Sequence, residues 1–128
     1  MNVLLDTHAF LWFIEDSPKL SAEARSVIED GSNAPLLNVV SLWEMAIKIS
    51  LGKLVLTEPF ETMVPEQLDR NGIDQLGIDF EHVTQVSKLP FHHRDPFDRL
   101  LVAQALVEEL PIVSADGSLD AYGVRRLW

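Results

Sequence analysis

The sequence predicts an α/β fold, a three-layer α/β/α sandwich around a mainly parallel central sheet. Three observations predict it. Short apolar runs that read as buried strands (Val3-Leu4-Leu5, Leu36 to Val40, Pro111 to Ser114) alternate with longer segments of helical periodicity. That alternation places helices on both faces of a parallel sheet. The chain has 128 residues, 47% of them apolar, with no repeat and no Gly-, Ser- or Pro-rich linker, which fits one domain with a full core.

The elements follow in order. Val3 to Leu5 is a strand that stops at Asp6. From Thr7, the residues Phe10, Leu11 and Ile14 recur at helical spacing, and this helix ends near Asp16-Ser17-Pro18. Ser21 to Ala24 begins a second helix that runs to Gly31. After the strand at 36–40, Ser41-Leu42-Trp43-Glu44 has the form of a capping box and opens a helix ending at Gly52. Residues 58–72 read as a helix, 73–78 as a short strand and 80–88 as a helix. Asp95-Pro96-Phe97-Asp98 reads as an N-cap, a proline at the first helical position and an acid in the first turn, so a helix is expected over 96–109. A third buried strand covers 111–114, and an edge strand is expected within 124–128. Trp12, Trp43 and Phe97 are assigned to the core.

Ten Lys and Arg face twenty Asp and Glu, for a net charge of −10. That balance argues against a protein that holds nucleic acid mainly through a basic surface. It suits a basic partner, or a site whose acids are neutralised by metal ions. The chain has no cysteine, so a disulfide framework, a thiolate metal site and a thiol nucleophile are excluded. The first residues carry no basic leader, Asp6 and His8 interrupt their apolar run, and no stretch nears the roughly 18 apolar residues of a spanning helix. A cytoplasmic protein without a membrane anchor is expected.

The informative feature is where the acids fall. Asp6 ends the first strand, Glu44 follows the second, and Asp116 follows the strand at 111–114. In an open parallel sheet all strand C-termini lie along one edge, where ligands bind. Asp6, Glu44 and Asp116 are therefore expected to converge, joined by Asp98 if its helix starts at the same edge. Clustered carboxylates repel one another. With no thiol present, an all-oxygen set selects hard cations such as Mg²⁺ or Mn²⁺, which suit phosphoester chemistry.

Each residue also has a plainer reading. Asp95 fits the N-cap role better than Asp98 does. The capping-box pattern explains Glu44 locally as well as a site would. Asp116-Gly117 matches an ordinary turn. Asp6 is hardest to explain away, because an acid ending a buried strand needs a partner. His92-His93 reads as a solvated loop at the rim of the site. Arg94 and Arg99 either contact phosphate or pair with nearby acids.

Four stretches, LLDTHAFLW (4–12), NVVSLWEMAIKISLGKL (38–54), HRDPFDRLLVAQA (93–105) and IVSAD (112–116), together resemble the PIN-domain ribonucleases, in particular the VapC-type toxins of prokaryotic type II toxin–antitoxin pairs. The resemblance implies a single PIN-like domain over 1–128 and a Mg²⁺- or Mn²⁺-dependent endoribonuclease. It carries the family's acidic set onto Asp6, Glu44, Asp98 and Asp116 as catalytic metal ligands, with Asp95, Thr7 and Ser114 as accessories. It also implies a homodimer and a cognate antitoxin with a basic segment. RNA is expected to be held by the metal with Lys48, Lys53, Arg94 and Arg99. Hydrolysis is then expected to use water activated by the metal, with no side chain as general base. Two alternatives stay open. One is a binding module whose acidic groove captures a basic peptide without catalysis. The other is a phosphatase with an Asp after the first strand, although the second Asp such enzymes place two residues later is His8 here.

Overall fold

The computed structural model describes residues 1–128. Five strands, β1 (Asn2–Leu5), β2 (Ala34–Asn38), β3 (Asp74–Leu76), β4 (Ile112–Val113) and β5 (Arg126–Leu127), form one sheet of order β3-β2-β1-β4-β5. Every pairing is parallel, so the sheet is wholly parallel rather than mainly so. Six helices cover it: α1 (Thr7–Ile14), α2 (Ala22–Glu29), α3 (Val39–Ser50), α4 (Phe60–Arg70), α5 (Phe80–Lys88) and α6 (Pro96–Glu108). None is long and apolar enough to cross a membrane.

Side chains alternate across β1 and so divide the core in two. Val3 and Leu5 join Phe10 of α1, Ile28 of α2, Met45 of α3 and Leu68 of α4 on one face. Leu4 joins Leu101 and Val102 of α6 with Leu89 and Ile112 on the other. The two clusters are the filling of the α/β/α sandwich.

Chain direction decides what meets at the functional edge. α1 follows β1 directly, and α3 follows β2 directly, so both start at the C-terminal edge of the sheet. α6 leads into β4 through Glu109 to Pro111 and must therefore run back against β4. Its first turn, with Asp98, consequently lies at that same edge. A short 3₁₀ helix at Gly117–Tyr122 follows β4, where the sequence reads only a turn at Asp116-Gly117.

The second strand is shorter than its apolar run. It stops at Asn38, whose side chain accepts from the Val40 N–H at 2.6 Å and caps α3. Ser41 thus becomes the third residue of the helix instead of its cap, and the expected Ser41–Glu44 capping box does not form. Trp43 is also a correction: it is 61% exposed and packs edge-on against Phe97, with ring centroids 5.6 Å apart. The helical face carrying Glu44 and Met45 turns inward, which leaves the neighbouring position 43 outside.

Candidate active site

Four elements deliver the acids. Asp6 caps α1, where its carboxylate accepts from the Ala9 N–H at 2.7 Å. Glu44 is buried on α3 and accepts from the Thr7 hydroxyl at 2.7 Å and from Lys48 Nζ at 2.9 Å. Asp98 projects from the first turn of α6. Asp116 follows β4 and accepts from the Ser118 N–H and hydroxyl at 3.0 and 2.6 Å. Ser114, fully buried, accepts from the Asp116 N–H at 3.0 Å, and its hydroxyl helps to hold the Asp6 carboxyl down against burial. Of the residues expected as accessories, Thr7 holds the Glu44 carboxylate and Ser114 holds the backbone of Asp116.

Electrostatics reports how close the acids are. Burial is the main force raising the Asp98 carboxyl, followed by repulsion from Asp95. His93 pulls the other way, while Glu44 and Asp6 add to the rise, and the group is pushed up to about 7. Burial likewise raises Asp6, against hydrogen bonds from Ser114 and Ala9 and the charge of His8, with Asp116 adding to the rise. For Asp116, burial is outweighed by the bonds from Ser118 and His93, and the carboxyl sits below its ordinary range. Mutual repulsion of this kind requires the carboxylates to share one locality.

Asp95 is the N-cap of α6, accepting from the Phe97 and Asp98 N–H groups at 2.8 and 3.2 Å. Its charge still acts on Asp98, so the cap is also a neighbour of the site.

The basic residues divide. Lys48 reaches the site through Glu44, and Arg94 is exposed beside Asp95. Lys53 is exposed beyond the end of α3, where its backbone N–H donates to the Lys48 carbonyl at 2.8 Å. Arg99 contradicts its expected role. Its guanidinium is buried and donates to the carbonyls of Pro90 at 2.9 Å and of Val86 and Leu89 at 3.3 Å. Its donors are taken by main-chain carbonyls and it pairs with no acid, because α6 turns position 99 inward beneath the loop that leads into the helix.

His93 is the residue that sequence reasoning missed. It is not a solvated rim residue: its Nε2 lies 3.1 Å from Asp116 Oδ2 and 3.2 Å from Asp98 Oδ2. Its signals in the sequence are its place two residues before the cap of α6 and at the head of the stretch HRDPFDRLLVAQA. The largest surface concavity, about 490 Å³ between the end of α1, the 55–58 segment and α4, lies elsewhere and is lined by none of the four acids.

The family model described as PIN domain matches residues 3–124. Ribonuclease VapC16 of Mycobacterium tuberculosis is 39% identical over 69 residues, which are 51% of this chain and 49% of that protein, so the match spans about half of the relative's length. The crystal structure of VapBC2 from Rickettsia felis, bound to a DNA fragment from its promoter, superposes with a TM-score of 0.73 at 14% identity, covering 98% of this chain and 97% of the other. FitAcB from Neisseria gonorrhoeae gives 0.64 at 18% identity, covering 98% and 96%. At these identities the structures speak for the fold alone, whereas the family match runs through all four acid-bearing segments: the chain belongs to the PIN domain family.

Proposed function

We propose that this chain is a Mg²⁺- or Mn²⁺-dependent endoribonuclease and the toxin of a toxin–antitoxin pair. One observation carries the reading: Asp6, Glu44, Asp98 and Asp116 arrive from four elements at one sheet edge, with Asp98 pushed up to about 7 by burial and its neighbours. The donor set fits a hard divalent cation. All four groups are carboxylates, no thiol competes, and the repulsion among them is what a dication would relieve. Such an ion, when bound, would polarise phosphoryl oxygens and lower the pKa of water for in-line attack.

The remaining work falls to this chain's own residues. Thr7 and Lys48 hold Glu44 in one orientation, and the Ala9 N–H holds Asp6. Ser118 fixes one oxygen of Asp116 and leaves the other facing His93. Arg94 is exposed beside the site and can meet the RNA backbone, with Lys53 a more distant contact. Arg99 has no part in that role.

The toxin role is supported by similar proteins: the sequence relative is a ribonuclease, and a similar structure from Mycobacterium tuberculosis is a member of the VapBC family of toxin–antitoxin systems. An antitoxin with a basic segment would complement the −10 charge and the acidic edge. A homodimer working in the cytoplasm is part of the same proposal. The test is cleavage of structured RNA in Mg²⁺ by purified Asp6→Asn and Asp98→Asn variants. Both are expected to lose activity by roughly 100-fold or more. Cleavage at the parent rate in both would leave a groove that only captures peptide, as would failure of the parent to bind Mn²⁺ in calorimetry.

A further inference from the structure

We infer that His93 is a positioning residue of the cation site: a hydrogen-bond donor that fixes Asp116 beside Asp98, without itself binding the ion. The inference rests on the reading that the acid set holds a divalent cation.

The tautomer decides the role. The Asp95 N–H donates to His93 Nδ1 at 3.1 Å, so Nδ1 is the acceptor and the ring proton sits on Nε2. That Nε2–H donates to Asp116 Oδ2 at 3.1 Å, with Asp98 Oδ2 3.2 Å away. A histidine that binds a metal through one nitrogen ordinarily donates from the other to a carbonyl or carboxylate. Here the polarity is reversed. Nε2 has no lone pair to offer unless the ring gives up its bond to Asp95, the capping residue of α6.

The loop is built to hold this ring still. The His93 N–H donates to the Tyr122 hydroxyl at 3.0 Å, and that hydroxyl donates to the Pro90 carbonyl at 2.9 Å. The same carbonyl accepts from Arg99, whose guanidinium also lies 4.2 Å from the Phe91 ring centroid. Arg99 is thus accounted for: it anchors the segment that presents His93. A carboxylate with one oxygen bound by Ser118 and the other aimed by the His93 N–H is held for capture of a cation at its remaining lone pairs.

The experiment is Mn²⁺ binding to the purified chain, by calorimetry and by pulsed electron paramagnetic resonance. The parent is expected to bind Mn²⁺ with no directly coordinated nitrogen. His93→Ala is expected to bind 10- to 100-fold more weakly. His93→Gln, which keeps an N–H donor, recovers most of that loss. A directly bound nitrogen in the parent overturns the inference whether or not any variant folds. So does an unchanged or tighter Kd in His93→Ala, or a His93→Gln variant as weak as the alanine. A parent that binds no Mn²⁺ is a different result: it removes the cation reading itself, and this inference falls with it.

Discussion

Helix α6 carries a histidine–acid cluster at each end, and the two differ in what they leave uncompensated. At its C-terminal end, Glu108 accepts from His82 Nε2 at 2.9 Å, and His82 Nδ1 accepts from the Asp79 N–H at 2.9 Å. At its N-terminal end, Asp98 and Asp116 face His93 Nε2, and His93 Nδ1 accepts from the Asp95 N–H. The local pattern is the same: a backbone N–H on one ring nitrogen and a carboxylate on the other. Either set brings three possible metal ligands within 4.8 Å of one another.

The first cluster is closed. His82 is fully buried and completes a capping box at the start of α5, so its ring is used up in joining α5 to α6. Glu108 answers the Nε2–H and Asp79 belongs to the cap of α5, so each carboxylate already serves the helix junction. The second gathers acids from the cap of α1, from α3, from α6 and from the segment after β4, with Lys48 as the one lysine or arginine ion-paired to the set. A group of possible ligands is therefore not evidence of a site. Surplus negative charge that the fold itself does not offset is the distinguishing property.

The largest expected contrast comes from neutralising one acid at each end. Asp98→Asn should reduce RNA cleavage by roughly 100-fold or more. Glu108→Gln, which keeps its acceptor for His82, should cleave at the parent rate. Comparable losses in both variants would erase the distinction. Next, His82→Ala removes a buried ring with two hydrogen bonds and should cost about 2–4 kcal/mol in urea unfolding. Its activity per folded molecule should be unchanged.

A smaller effect separates the ends by pH. Asp98 rises from 3.8 unfolded to about 7 folded, so the folded chain keeps a proton that the unfolded chain releases. Its contribution to stability is complete below about pH 4 and is lost as pH rises through about 7. Asp6 acts in the same sense. Because Asp98 is about one-third exposed, screening reduces the effect to on the order of 1–2 kcal/mol. Unfolding in a chelator should show lower stability at pH 8 than at pH 5. Asp98→Asn should flatten that slope and Glu108→Gln should preserve it. A parent whose stability rises over this interval would contradict the assignment. The smallest effect is that of Lys48→Met, which breaks an i,i+4 pair and should shift stability by only about 0.3–0.5 kcal/mol. The same change should tighten Mn²⁺ binding about twofold, since it removes a cation that competes for Glu44.

By itself the sequence determined the fold class, the order of the strands and helices in the chain, the Asp95 cap and the position of each acid relative to its strand. These are short-range properties. Burial periodicity, cap chemistry and strand ends are written within a few residues of one another. Only the tertiary structure decided which groups meet. The return of α6 against β4 brought Asp98 to the edge. The early cap at Asn38 freed Glu44 from a capping role and gave it to Thr7 and Lys48. The inward turn of position 99 made Arg99 an anchor of the loop, and that loop turned His93 from an expected surface residue into the donor between two carboxylates. The decisive contacts depend on chain direction and packing between distant segments, 37 residues apart for Thr7 and Glu44 and 23 for His93 and Asp116, and no local pattern encodes such separations.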